Sequence, residues 1–314
     1  MPLISKRNFM NVYGNTDLEL EAKTGQGLVI KNILIHDPAT DYITVSTSKT
    51  TVGYFRVGGG LGNHLAFHVG SFQAAYPMTK IGKINQTTLL SYLATLGLFV
   101  GYPVASGEKF LITGAKQSTS FQCVEYEIWD SEDISPEMEN GSKSNSYFYI
   151  NYGQSGSSIS VATDVILDTP NNPAEFPDFP FGKIVPANRS IELHGILASD
   201  VQYRLGSTSY IYSQYLKFMQ GKTFLFDDDK NGLLYYAMPA LGSYASTHPA
   251  LGQSVGGNYT PIDLRYPFMF DPPLVFPQGQ ELSVFWKMAV GATAQSITSE
   301  FQEVGLILKM IPSS

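Results

Sequence analysis

The chain has 314 residues and one cysteine, Cys123, so no disulfide can form within it and a disulfide scaffold is excluded. The alternating context Phe121-Gln122-Cys123-Val124-Glu125-Tyr126 reads as a strand and predicts a buried structural thiol. Charge is also scarce. The 20 Lys and Arg and 27 Asp and Glu make up 15% of the residues, against about 25% in an ordinary soluble domain. The longest basic cluster is Lys6-Arg7 and the net charge is −7, which argues against direct nucleic-acid binding by the body of the protein. No apolar run reaches the roughly 18 residues of a membrane-spanning helix. The longest candidate, Leu89 to Val104, is interrupted by Ser91, Tyr92, Thr95, Gly97 and Gly101. The first ten residues lack the apolar core of a secretory signal, so synthesis in the cytoplasm is expected and the sequons at Asn85, Asn188 and Asn258 carry little weight.

What the sequence does have is strand signal. Hydrophobic residues are 43% of the chain and aromatics 13%, which excludes disorder. Leu28 to Ile35 is an apolar, β-branched run between the turn Gly25-Gln26-Gly27 and His36-Asp37-Pro38. Tyr42 to Thr47, Thr51 to Val57, Phe110 to Thr113 and Phe121 to Trp129 continue the pattern. Two stretches carry helical spacing. One is Asn85 to Leu96, with Leu89, Leu93 and Leu96 on one face and Gly97 as the stop. The other is Ser207 to Gln220, with Ile211, Tyr215 and Phe218 spaced alike and Gly221 behind them. Short strands with Gly/Pro turns about every ten residues indicate an all-β sandwich or barrel.

The length suits two domains of about 150 residues. Ser131 to Ser146 is acidic and polar, and a proline-rich stretch follows through Pro170, Pro173, Pro177, Pro180 and Pro186. The expected division is a first barrel over 1–165, a connector over 166–186 and a second barrel over 187–314. A weak internal repeat supports two like halves. Phe121-Gln122-Cys123-Val124 matches Phe301-Gln302-Glu303-Val304. The proline-led run from Pro103 to the Gly107 turn matches that from Pro273 to the Gly279 turn. Gly27 to Ile33 pairs loosely with Arg189 to Ile196. The offsets, 172 for Gly107/Gly279 and 180 for Phe121/Phe301, imply that a loop has grown between those points.

Two tandem β-barrels with a proline-rich join resemble the double jelly-roll major capsid proteins of icosahedral, often membrane-containing, viruses and phages. The resemblance covers the whole chain and rests on architecture and the repeat, without a signature motif. It implies two antiparallel jelly-roll barrels with one or two short helices. It also implies a non-enzymatic subunit in the virion, made in the host cytoplasm. Its partners would be itself, as a homotrimer of six barrels and then a capsid lattice, together with penton or minor capsid proteins. A segment carrying Lys6, Arg7, Phe9 and Met10 is the candidate arm toward neighbouring subunits or an internal lipid membrane. Two readings stand beside it: a phage spike or receptor- or carbohydrate-binding β-sandwich, with Trp129, Trp286 and the tyrosines stacking on sugars, and a two-domain β-sandwich hydrolase.

No metal or cofactor is expected. Asp227-Asp228-Asp229-Lys230-Asn231-Gly232 copies half of a calcium loop, but Met238 stands where the loop needs its last acidic ligand, and a β-hairpin turn is expected instead. Gly58-Gly59-Gly60-Leu61-Gly62 breaks the dinucleotide fingerprint at Asn63. Gly221-Lys222-Thr223 lacks the upstream glycine of a P-loop. His64 and His68 lack the glutamate of a zinc protease motif, and His36, His194 and His248 are isolated.

Overall fold

The computed structural model describes residues 6–36, 42–48, 51–56, 89–114, 118, 121–130, 147–154, 164–166, 169–170, 183–197, 214–227, 233–234, 268–288 and 303–312. The chain forms two compact units, Met1–Tyr149 with Ile262–Tyr266, and Ile150–Pro261 with Pro267–Ser314.

The first unit contains β1 (Lys6–Tyr13), β2 (Leu18–Glu21), β3 (Gln26–His36), β4 (Tyr42–Thr47), β5 (Thr51–Arg56), α1 (Leu89–Thr95), β6 (Tyr102–Val104), β7 (Lys109–Gly114) and β8 (Phe121–Asp130). One sheet has the order β1-β8-β3-β6; the other strands run β2-β7-β4-β5. The first strand thus pairs the eighth, the second the seventh, the third the sixth and the fourth the fifth, all antiparallel. A ribbon of hairpin-paired strands rolled so that β8 also meets β3 and β7 meets β4 is a jelly roll. Alternation drives it. In β7, Phe110 and Ile112 are buried while Lys109 and Leu111 are only half-buried. Leu28, Ile30, Ile33, Val45, Val104 and Val124 complete the core.

The second unit contains β9 (Tyr147–Gln154, beginning in the first unit), β10 (Val165–Ile166), β11 (Thr169–Pro170), β12 (Lys183–Ile184), β13 (Arg189–Leu197), β14 (Gln214–Gln220), β15 (Thr223–Leu225), β16 (Leu233–Leu234), β17 (Phe268–Phe276), β18 (Glu281–Met288) and β19 (Glu303–Pro312). Its orders are β9-β19-β13-β17 and β10-β18-β14-β15. These repeat the first unit strand for strand, with β9, β19, β13 and β17 in the places of β1, β8, β3 and β6. The fold is therefore a double jelly roll.

The repeat extends to the residue. Leu28↔Val104, Val29↔Pro103 and Ile30↔Tyr102 in one unit become Ile191↔Phe276, Glu192↔Val275 and Leu193↔Leu274 in the other. Each third strand has a β-bulge at the same point, with Lys31 skipped between Ile30 and Asn32, and His194 between Leu193 and Gly195. The corner turns match as well. Gly107 N–H donates to Ala22 O and Glu108 N–H to Ala105 O; Gly279 N–H donates to Val185 O and Gln280 N–H to Pro277 O. Gly107 and Gly279 share φ = +77°, the left-handed turn that glycine adopts without a Cβ penalty.

Four expectations change. Strand pairing makes β8 equivalent to β19 with an offset of 182, so Phe121 corresponds to Glu303, two places beyond the Phe-Gln match; Phe301 and Gln302 themselves lie outside the described residues. The stretch 214–220, expected to be helical, is strand β14, with Leu216 and Phe218 facing the core; 207–213 lie outside the described residues. Of the three residues that gave the apparent 3.6 period, Tyr215 and Phe218 stand on this strand, and Gly221 (φ +63°) opens the two-residue turn to β15 instead of ending a helix.

The third change concerns the proline-rich 166–186. β10 and β12 both pair with β18, Ile166↔Phe285 at the start of the stretch and Lys183↔Leu282 near its end, so residues at both ends of it belong to one sheet of the second unit. The fourth concerns 227–232. Its flanks do not pair with each other as a hairpin would. Thr223–Leu225 and Leu233–Leu234 both pair with β14, so they are two pieces of one interrupted strand. The expected helix at 85–96 is α1, and its C-terminal turn closes with Leu98 N–H donating to Leu93 O behind Gly97 (φ +72°). Leu89, Leu90 and Leu93 are buried while Leu96 is exposed; 85–88 lie outside the described residues.

Candidate interaction surface

The four residues singled out near the start all stand in β1, which pairs with β8 without a register shift from Lys6↔Ile128 to Tyr13↔Phe121. Over these residues the expected arm is an edge strand. Period-two alternation places Arg7, Phe9, Asn11 and Tyr13 on the exposed face, while Asn8, Met10 and Val12 are half-buried. Phe9 is 57% and Tyr13 71% exposed. The guanidinium of Arg7 donates through Nε and pairs through Nη2 with Glu125 Oε1, a carboxylate buried directly opposite Phe9. One bulge away, Lys31 Nζ lies 3.5 Å from Glu127 and donates to Val100 O at 2.9 Å. The surface thus offers aromatic area beside paired charge. On the same face Cys123, opposite Asn11, is buried, and burial, followed by the nearby Glu125 charge, raises its thiol pKa.

A second polar cluster lies in the other unit. Lys217, on β14, is only 4% exposed in its side chain. Its Nζ is 2.5 Å from Asp164 Oδ2 and donates to Asp227 Oδ1 at 2.7 Å. The ammonium also sits 4.5 Å from the Phe224 ring centroid and 5.7 Å from that of Phe285. Burial works to lower its pKa, but the hydrogen bonds to both aspartates outweigh this and raise it. Sequence reasoning missed this site. The signal was a lone lysine in Tyr-Leu-Lys-Phe-Met, hidden by the helical reading, and Asp227 was weighed only as a calcium ligand.

His194, at the second bulge, is buried with Nε2 2.7 Å from Glu192 Oε2. Among the described residues no group of three or more His, Cys, Asp or Glu could hold a metal ion. His64, His68, His248, Gly58 to Gly62, Ser131 to Ser146, Asp228 to Gly232 and Met238 lie outside the described residues. Gly221 and Lys222 form the β14–β15 turn, and Thr223 begins β15. Trp129 is half-buried. Among the described residues no helix is long and apolar enough to cross a membrane.

No family model matches the chain, and no curated protein does. Among solved structures it is similar to the major capsid protein P2 of bacteriophage PM2, at 12% identity and a TM-score of 0.35, covering 98% of this chain and 97% of that one. It is also similar to a triple jelly-roll protein of an archaeal virus turret, at 10% identity and a TM-score of 0.20, covering 99% of this chain and 60% of that one. The jelly-roll assignment stands on the strand pairing within each unit.

Proposed function

We propose that the chain is the major capsid subunit of an icosahedral virus and has no enzymatic role. The observation that carries this reading is the register-level duplication. One chain supplies two like but unequal jelly rolls, so three chains about a three-fold axis supply six similar units and make a pseudo-hexagonal tile. Scarce charge and 19 Tyr with 19 Phe suit broad, weakly repelling contacts between subunits. The exposed Phe9 and Tyr13 of β1 serve as a neighbour contact in this arrangement. The partners are further copies of the chain, then penton or minor capsid proteins, and the site of action is the virion.

The test is native mass spectrometry of the purified protein at low micromolar concentration, with electron microscopy of assembled material. A stable trimer and hexagonally outlined tiles are expected, with interfaces burying roughly 2,000 Å² or more per pair. A monomer that never associates and binds glycans would overturn the reading in favour of a spike or receptor-binding protein.

A further inference from the structure

The second unit differs from the first in its outer strands. In the first, β2 is one uninterrupted edge strand on β7, from Leu18↔Ile112 to Glu21↔Lys109. In the second, its counterpart is broken into β10 and β12 on β18. The opposite edge is broken too, into β15 and β16 on β14. These pieces are two or three residues long, and so few ladder bonds hold a strand weakly.

Lys217 stands between the two breaks. Asp164 immediately precedes β10 at one edge, and Asp227 lies where β15 ends at the other. Both reach Lys217 Nζ on the central strand β14. Continuing the β14–β15 register one step past Phe218↔Leu225 would bring residue 226 opposite Lys217, so the break opens at the lysine. There the backbone of Phe226 takes φ = +63°, a conformation an aromatic residue adopts only when its surroundings hold it. Its ring packs edge-on against Phe218, at 6.0 Å, and stacks on Phe270, at 6.2 Å. Lys217 and Phe218 are consecutive and point to opposite faces of β14. The segment after β15 therefore grips the sheet on both faces, through Phe226 on the core side and Asp227 on the other.

We propose that Lys217 is a latch that seats both interrupted edge strands of the second unit, so that β10 and β15 open together when its pairing is lost while the β13–β19 core stays closed. Replacing the lysine by methionine keeps the length of the side chain and removes the shared cation, and the two aspartates, 34% and 56% exposed in their side chains, keep their charge in solvent instead of in a buried site. The edges, in contrast, lose the group that ties them down.

Hydrogen–deuterium exchange on the full-length protein reads this directly. In K217M, amides of 164–166 and 223–227 should exchange about tenfold faster or more, with those of β13 and β19 unchanged. D164N should loosen only 164–166, and D227N only 223–227, while K217R restores most of the protection. The two aspartate variants keep the test decisive if K217M fails to fold, because each leaves the lysine one carboxylate. Exchange that rises uniformly through the second unit, or D164N and D227N profiles that match the parent at both edges, would overturn the latch.

Discussion

The two jelly rolls share backbone geometry down to single hydrogen bonds while sharing few side chains. At the bulge of the third strand the first unit places Lys31 and then Asn32; the second places His194 and then Gly195. At the corner, Gly25 N–H donates to Ser106 Oγ at 2.9 Å in one unit, and Asn188 N–H donates to Gln278 Oε1 at 2.9 Å in the other. Ser48 N–H donates to Lys109 O just as Gly221 N–H donates to Glu281 O. Register, bulge and turn are set by strand pairing and can be met by several residue types. The contents of the core and the edges respond to local packing and diverge.

The core gives the largest expected contrast. Val104 and Phe276 hold equivalent places opposite Leu28 and Ile191, and both are fully buried. Phe276→Ala should cost about 3–5 kcal/mol, the usual range for deleting a buried ring. Val104→Ala, which removes two methyl groups, should cost less than half of that. Denaturant unfolding, followed by exchange protection in each unit, measures both. Equal losses at the two positions would mean that the two cores are not equivalent.

The bulge gives the next. A Cβ on Gly195 would meet Met269 Sδ and Phe268 O at 2.7 Å each, because β17 extends far enough to lie opposite it. In the first unit β6 covers only Tyr102–Val104, and Asn32 fits, its Oδ1 accepting from Ile33 N–H at 3.0 Å. Gly195→Ala should therefore destabilise by roughly 1–3 kcal/mol, in the range of an overpacked site. Asn32→Ala should cost at most about 1 kcal/mol, the price of one partly exposed hydrogen bond. A Gly195→Ala protein as stable as its parent would place the neighbouring strand farther away than described.

Much of this was legible in the sequence. The β-branched run at Leu28–Ile35, the turns at Gly107 and Gly279 and the alternation through Phe121–Trp129 gave the class and the repeat, because strand periodicity and left-handed glycines are local properties. The register of the last strand was not legible. A shift of two residues preserves which side chains face the core, so the Phe-Gln match at 301 looked as good as the true equivalence at Glu303. The prolines of 166–186 give the same local signal in an interdomain connector and in a segment whose two ends pair with one strand, and only the pairing of β10 and β12 with β18 separates the two. Of the site, Lys6 to Met10 stood out by charge beside apolar residues, but nothing local showed that Arg7 is paired with Glu125, 118 positions away. The Lys217 cluster draws on Asp164, Phe224, Asp227 and Phe285, which only tertiary folding assembles.

Lys217 has no charged counterpart in the first unit; strand pairing puts Thr44 in its place. Its pKa is raised above the ordinary lysine value of 10.5. A cation whose folded-state pKa exceeds its unfolded one contributes its full stabilisation below the unfolded value and loses it as pH rises through the folded value. The stability of the parent minus that of Lys217→Met should thus be flat near neutral pH and fall above about pH 10.4. Thr44→Val, measured alongside, should give a difference with no such alkaline decline. A parent–variant difference that grows with alkalinity would reverse the sign and show that the aspartates do not hold the ammonium.

The smallest effect is expected at the corner. Gly25 (φ +81°) and Asn188 (φ +62°) both lie in the left-handed region, and a Cβ on Gly25 would meet nothing within 4 Å. Substitution there carries a backbone cost alone. Gly25→Ala should destabilise by about 1 kcal/mol, the penalty of an L side chain in this conformation. Gly25→Asn should cost less, since Asn tolerates the left-handed region better than Ala. Asn188→Gly should be neutral or stabilising by a few tenths of a kcal/mol, because the N–H to Gln278 is a backbone donor that survives the change. Unfolding midpoints of these three variants test whether the two corners are one device made from different residues. A loss of several kcal/mol in Gly25→Asn would mean that the first corner needs glycine for a reason the second does not share.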